Sequence, residues 1–386
     1  MAAPTPPEAP TSRLITLDAT RAVALLGVLV VNMLTLSGLV YLTPEMRAVV
    51  HGPGDRVVAY VLAVLVEGKA LAAFSLLFGV SFTLLIGRMR ARGEPWVGAY
   101  LRRLALLGAF GLINAALFFW GDILTTYAVL GLFLPLALLL PQRVVLGLAG
   151  VLLLGLPVAL ALAGVAPPPP LDQDQLVSLR AFQEPSFAAT VTHNWALFTG
   201  AAGAGDQLRL VRYGELAALF LVGLAAGRAG LPGRLEENRV WLRRLALGLL
   251  VLGLTMEAAR RTGMVLTPGG LLLESGDALV GMAYVALVAL WLNGDGAARL
   301  RGWLAPLGSM ALTGYLMGGL AGQAVFYGWG MAQLGRHGTL TVVGIAVGIF
   351  LLLALFARVW MARFRHGPWE WLWRSLTRLS WARMRR

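Results

Sequence analysis

The residues that could do chemistry in this chain are few, and apolar sequence surrounds most of them. Asp18 and Arg21 stand three apart, on one helical face, at the start of the first apolar run. They fit either a boundary ion pair or a seat for a polar or anionic ligand. Asn32 lies midway along the same run, suited to interhelical hydrogen bonding or to orienting a substrate. Glu67-Gly68-Lys69 interrupts the second run, and Lys69 is the single lysine beside 31 arginines. Lysine is a compact charge whose proton affinity responds to burial, so this one marks either a structural ion pair or a working ammonium. Gly121-Asp122-Ile123-Leu124 opens the fourth run. Asp122 suits an N-cap, or a carboxylate facing the same outer vestibule as Lys69, with Tyr127 about one turn deeper. Glu274 and Asp277 begin the eighth run at the spacing of a capping pair.

Four histidines are present, His51, His193, His337 and His366, and no two have metal-ligand spacing. No metal site is expected. His51 follows the first run and precedes the turn Gly52-Pro53-Gly54, where it is either solvated or a general base on the outer side. There are no cysteines, which excludes disulfides, thiolate metal sites and cysteine nucleophiles. Nucleophile-elbow, phosphate-loop and dinucleotide fingerprints are missing, so hydrolase, NTPase and dehydrogenase readings lack a motif.

The elements that must position these groups are membrane helices. Charged residues make up 13% of the chain and the mean hydropathy is +0.74, against about 25% charged in soluble domains. Spanning the hydrocarbon takes roughly 20 apolar residues. On that rule about ten spans are predicted, near 14–41, 57–87, 98–119, 122–140, 144–165, 213–230, 241–259, 271–292, 304–327 and 339–360. The run 57–87 is long for one span, so a break at Gly68 is expected, with the true span from about 70 to 87. With the N-terminus inside, 23 arginines fall on the cytosolic side and eight outside, as the positive-inside rule requires. The expected fold is an all-α polytopic bundle with both termini inside. It divides into a disordered leader (1–13), a five-span half (14–165), an external loop (166–211), a second five-span half (212–362) and an interfacial Trp- and Arg-rich tail (363–386). The net charge of +13 sits in short clusters between spans, not on one stacking surface, so the partner is the lipid bilayer of the plasma membrane and not nucleic acid.

Several stretches together resemble a known family. The first block is Leu17-Asp18-Ala19-Thr20-Arg21 leading to Val31-Asn32, then Glu67-Gly68-Lys69 with Phe74-Ser75-Leu76-Leu77-Phe78-Gly79. The second is Arg102-Arg103, then Gly121-Asp122-Ile123-Leu124 and Tyr127-Ala128. The third runs from Pro306 through Gly308-Ser309-Met310 to Tyr315, and ends in Phe364-Arg365-His366-Gly367-Pro368-Trp369-Glu370-Trp371-Leu372-Trp373-Arg374. In this order they resemble the YeiB-like membrane proteins, a family of unknown function. Its N-terminal half is similar to transmembrane acyltransferases, which take an acyl group from cytosolic coenzyme A and deliver it across the membrane.

That resemblance implies an acyl transfer from cytosolic acyl-CoA to an acceptor at the outer face. The acceptor is a small molecule or an envelope glycan or lipid, no cofactor is bound, and a homodimer is compatible. Asn32 then matches a site asparagine, and His51 matches the histidine that follows it, at a longer spacing here. Asn114 stands where the family usually has histidine. The phosphates of acyl-CoA would be drawn to Arg21, Arg102 and Arg103. His51 or Asp122 would activate the acceptor, and Lys69 or Asn32 would stabilise the oxyanion. The alternative is a transporter of a small polar or lipid-linked solute, its path lined by Glu67, Lys69, Asp122 and Glu274. Either way Asn32, Lys69 and Asp122 are expected to share one cavity.

Overall fold

The computed structural model describes residues 10–93, 95–163, 174–200, 207–261 and 270–386. Most of the predicted leader, and the Pro167–Pro170 run and Asp172 of the external loop, lie outside them. The described residues form helices α1 (Pro10–Leu36), α2 (Pro44–Val50), α3 (Pro53–Leu65), α4 (Lys69–Ala91), α5 (Trp96–Leu117), α6 (Leu124–Gly131), α7 (Leu134–Ala137), α8 (Gln142–Gly150) and α9 (Leu156–Leu162). The chain continues through α10 (Asp174–Gln183), α11 (Phe187–Thr199), α12 (Gln207–Arg228), α13 (Arg239–Arg261), α14 (Gly270–Leu273) and α15 (Gly276–Asn293). It ends with α16 (Ala298–Ser309), α17 (Ala311–Phe326), α18 (Thr339–Arg363) and α19 (Pro368–Arg378). The chain is an all-α, multi-pass membrane protein.

The described residues of each of the ten predicted runs are helical, but not every run is a single helix long and apolar enough to span. Among the described residues seven helical segments are long and apolar enough to cross a membrane, and the pair α16–α17, bent by 79°, makes an eighth. The run 122–140 is broken into the short helices α6 and α7. The run 241–259 forms α13, which carries Arg243, Arg244 and Glu257 among its apolar residues. α6 packs against α5, and α13 against α15. Connections assigned to one side touch each other. Arg228 Nη1 donates to Leu140 O (3.0 Å), and Trp373 Nε1 to Arg103 O (2.9 Å), at the arginine-rich end. His51 Nε2 lies 3.1 Å from Thr339 Oγ1, and Asn194 Nδ2 donates to Ala116 O (3.2 Å), at the other.

The two halves interlock where side chains are smallest. A Cβ on Gly79 of α4 would stand 2.2 Å from Phe220 O, and one on Gly223 of α12 would stand 2.2 Å from Leu76 O. Backbone contact of this kind is how membrane helices gain packing without a hydrophobic drive between them. Phe78 then stacks on Phe220 with ring centroids 4.6 Å apart.

The predicted break falls at Gly68, whose φ of 77° suits glycine, and a Cβ there would lie 1.7 Å from Asp277 Oδ2. Lys69 opens α4 and is fully buried. Its ammonium donates to Ala63 O (3.1 Å) and pairs with Asp277 Oδ1 (2.7 Å) and Glu257 Oε1 (3.6 Å). Arg260 and Arg261 hold the same Glu257 carboxylate from the outside. One ammonium therefore ties α4 to α13 and α15. Removing one partner of a buried pair leaves the other charge uncompensated, at a cost of about 3–5 kcal/mol. Lys69→Met is expected to lower the melting temperature in detergent, and Asp277→Asn added to it to restore part of the loss. Thermal denaturation of the two variants beside the wild type checks this.

Candidate functional site

A cavity of about 440 Å³ lies at the arginine-rich end, and sequence blocks far apart in the chain build it. Helix α1 contributes Leu14, Asp18 and Arg21; α4 contributes Phe74, Leu77, Phe78, Ser81 and Arg88. Tyr100, Arg103 and Leu107 come from α5, while Ile123, Leu124 and Tyr127 come from the turn into α6. The break between α16 and α17 supplies Gly308, Ser309, Ala311, Leu312 and Tyr315, and the tail supplies Arg365, His366, Glu370, Trp373 and Arg374. Every stretch that carries the family resemblance reaches this wall, Val31-Asn32 and Glu67-Gly68-Lys69 excepted. The rim is cationic and the deep end aromatic and apolar.

Glu370 explains why the break and the tail meet. Met310 ends α16, the chain turns, and the first turn of α17 exposes backbone N–H groups without helical partners. Thr313 N donates to Glu370 Oε1 (3.0 Å) and Thr313 Oγ1 to Oε2 (2.6 Å). The tail helix thus caps α17 from outside, and Trp369 packs edge-on against Phe110 of α5 at 5.5 Å. Burial raises the Glu370 carboxyl above its ordinary value, partly offset by the bonds from Thr313.

Five arginines face the cavity with two carboxylates. Asp18 pairs with Arg21, whose other nitrogen donates to Ser81 Oγ (2.7 Å). Glu370 serves as the cap. Among the described residues no carboxylate forms a salt bridge with Arg88, Arg103, Arg365 or Arg374. The Arg103 guanidinium lies 3.5 Å from the Trp373 ring centroid instead, a contact that holds a cation without neutralising it. Burial, then Arg378 and Arg88, pulls the Arg374 guanidinium below its usual range. The His366 imidazole is depressed to about 4 by burial and by Arg374, Arg378 and Arg365, so it is neutral at pH 7.

Of the residues singled out from sequence, Asp18, Arg21, Arg103 and Tyr127 line this cavity. Arg102 turns away, its Nε donating to Thr377 O at 3.0 Å. Asn32 is half-buried on α1 and Glu67 exposed at the break; neither lines the cavity. His51 sits at the opposite end, beside Thr339. The vestibule expected to join Lys69 and Asp122 does not form as a shared hydrogen-bond centre. Lys69 takes Asp277 and Glu257, and Glu274 pairs with Arg260 (3.3 Å). The physical reason is proximity: α13 and α15 bring carboxylates to the ammonium at the Gly68 break. Asp122 accepts from Asn114 Nδ2 (2.9 Å), Thr125 N (2.7 Å) and Thr125 Oγ1 (2.8 Å). It accepts a backbone N–H at the start of α6, as the capping reading expects, one residue before the N-cap position Ile123 and next to cavity-lining Ile123 and Leu124. Asn114 Nδ2 also reaches Tyr315 OH (3.5 Å), and Tyr127 OH lies 2.6 Å from Ser75 Oγ.

Arg88, Arg365, His366, Glu370 and Arg374 were not singled out as site residues. Only the lone acid in a tail of arginines and tryptophans could have pointed to Glu370.

A family profile described as "Protein of unknown function (DUF418)" matches residues 226–380. The chain is 30% identical to "Uncharacterized protein YeiB" of Escherichia coli (strain K12), over 95% of the chain and 96% of that protein. It is 27% identical to "Uncharacterized protein YxaH" of Bacillus subtilis (strain 168), over 96% of the chain and 95% of that protein. No solved structure matches the chain significantly.

Two outcomes are expected from the tail. Glu370→Ala removes a helix cap and is expected to lower stability by about 1–2 kcal/mol, read as a fall in the midpoint of thermal denaturation. The unfolded chain protonates His366 near pH 6.5, whereas the folded one resists until about pH 4. Stability that is full above pH 6.5 is therefore lost as pH falls towards 4. His366→Gln is expected to flatten that decline in melting curves taken across the window.

Proposed function

The chain belongs to the YeiB-like family, the membrane proteins described by DUF418, and from that premise we propose that it is a membrane acyltransferase drawing acyl-coenzyme A into the cationic cavity. The observation that carries the reading is the surplus of guanidinium groups at the rim of a cavity whose deep end is apolar. Phosphates pair with guanidinium forks by short, charge-assisted hydrogen bonds. A ligand with phosphates at one end and a hydrocarbon chain at the other satisfies both regions. Placed this way, the arginine-rich end faces the cytosol across the plasma membrane, where acyl-coenzyme A is available.

The chemistry then falls at the deep end. The pantetheine arm passes Phe74, Phe78 and Leu107 towards Ile123, Leu124 and Tyr127, which brings the thioester to that end. An acceptor hydroxyl or amine attacks the thioester carbon, its proton goes to the Asp122 carboxylate, and coenzyme A leaves as the thiolate. Asn114 is a positioning residue, since its amide donates to Asp122 and reaches the Tyr315 hydroxyl on the cavity wall.

One observation favours a second reading, the carriage of an anionic amphiphile. The cavity lies at one end, while the buried pairing of Lys69 with Asp277 and Glu257 lies at the other, an arrangement suited to closing one side while the other is open. Flux of a phosphate-bearing amphiphile through proteoliposomes, without any acyl product, would select carriage over transfer.

Coenzyme A titrated into purified protein is expected to bind in calorimetry and to raise the melting temperature. Arg21→Ala and Arg103→Ala should each weaken binding by about ten- to a hundredfold, the range for hydrogen bonds to charged groups. Arg56→Ala, on an exposed residue at the opposite end, should leave it unchanged. No binding at millimolar coenzyme A, or equal losses in all three variants, would contradict the donor site.

A further inference from the structure

A second cavity, of about 470 Å³, lies on a different face of α1 and α4 from the cationic one, and the two share Leu77. Thr16, Leu17 and Thr20 line it from α1, where Leu14, Asp18 and Arg21 line the other. Small residues leave the room: Ala225 and Ala226 of α12, Ala246 of α13, and Ala286 and Ala289 of α15. On α12 the lining runs two turns inward from Ala229 to Val222, roughly 10 Å at the rise of an α-helix. Gln142 and the Leu231–Pro232 turn close it at the arginine-rich end.

The wall is apolar, and its few polar side chains are already engaged by the protein. Gln142 Nε2 donates to Ala225 O (3.0 Å), Thr20 Oγ1 to Thr16 O (2.9 Å), and Thr16 Oγ1 reaches Asn293 Oδ1 (3.5 Å). A polar solute entering here would lose its hydration and find little in return. A hydrocarbon chain loses nothing. The cavity is also open at the side. Leu146 of α8, and Trp241 and Leu245 of α13, line it yet stay 45%, 54% and 44% exposed. Helix α8 packs against α12 and α13 against α15, so α8 and α13 stand as the two edges of the opening. Leu146 belongs to an apolar span, Gln142–Leu162, which turns the opening towards lipid.

Charge selects which lipid. Arg143 stands one turn from Leu146 on α8, and Arg244 one turn from Trp241 on α13, beside Arg243; all three are exposed. Among the described residues none of the three forms a salt bridge, whereas Arg234 and Arg239 take Glu237 and Glu236. Basic residues at the cytosolic interface attract anionic headgroups. We propose that this cavity seats an anionic phospholipid of the cytosolic leaflet, with one acyl chain between α8 and α13 and the phosphate on Arg143, Arg243 and Arg244. The lipid is not the acceptor, since its headgroup lies at the arginine-rich end and the acceptor is expected at the opposite one. Its seat needs neither coenzyme A nor acyl transfer. A chain held there backs the part of α1 and α4 whose other face carries Asp18, Arg21 and Ser81 into the cationic cavity.

The test titrates full-length protein, stripped of lipid in detergent, with phosphatidylglycerol and phosphatidylcholine of equal chain length. Native mass spectrometry and melting temperature are the readouts. One phosphatidylglycerol per chain is expected to be retained, at about tenfold lower concentration than phosphatidylcholine, and to raise the melting temperature. Ala226→Leu combined with Ala286→Leu fills the cavity, and is expected to abolish retention while keeping the melting temperature of the lipid-free protein. Arg143→Gln, Arg243→Gln and Arg244→Gln together alter only exposed side chains. They are expected to bring phosphatidylglycerol down to the level of phosphatidylcholine with the lipid-free melting temperature unchanged. The proposal is overturned if the wild type binds both lipids equally, or if the cavity-filling variant retains lipid as the wild type does. It is also overturned if palmitoyl-coenzyme A displaces the lipid, which would assign the cavity to a substrate chain, or if the chain forms a dimer that retains none.

Discussion

Like charges gathered around the mouth of an apolar cavity repel one another, and the repulsion stands unless an anion joins them. The rim of the cationic cavity accepts that penalty. Arg88, Arg103, Arg365 and Arg374 converge on it, while Asp18 is taken by Arg21 and Glu370 by the start of α17. The rest of the structure serves this arrangement. The tail folds back so that Trp373 can carry the Arg103 guanidinium. The start of α17, after the α16–α17 break, is capped by the tail carboxylate of Glu370.

The same chain shows how charge is treated when it is structural. Lys69 is deeper in protein than any of those arginines, yet two carboxylates and a backbone carbonyl surround it. Its cost is met locally, and its job is to join α4 to α13 and α15. The contrast between a compensated ammonium and uncompensated guanidinium groups separates the pin from the site more sharply than burial does. Asn114, Asp122 and Tyr315 form a short hydrogen-bonded link at the cavity wall.

Much of this was legible in the sequence because it depends on local pattern. Hydropathy locates the helices, the positive φ at Gly68 follows from a Glu-Gly-Lys interruption in an overlong run, Asp18 and Arg21 stand out as polar groups in an apolar run, Tyr127 lies about one turn from Asp122, and Arg103 comes with the resemblance. What depends on pairing across the chain was not legible. Nothing around Lys69 indicates that Glu257 and Asp277 will reach it. Glu370 reads as one more interfacial residue until Thr313, at a helix start created by the Met310 break, supplies its donors. Asn194 and Gln323 look like ordinary amides on apolar helices, and only packing shows that they bond to Ala116 O and Phe118 O at the end of α5. The lower number of long apolar helices has another cause: α6 and α7 are short, and α13 carries Arg243, Arg244 and Glu257 among its apolar residues.

The most direct measurement is an experimental structure of the full-length protein determined with coenzyme A. Phosphate density within hydrogen-bonding distance of Arg21, Arg88, Arg103 or Arg374, with the pantetheine arm directed towards Tyr127, is the result expected. Coenzyme A absent from the cavity at saturating concentration, with carboxylates or lipid headgroups from elsewhere neutralising those arginines, would contradict it.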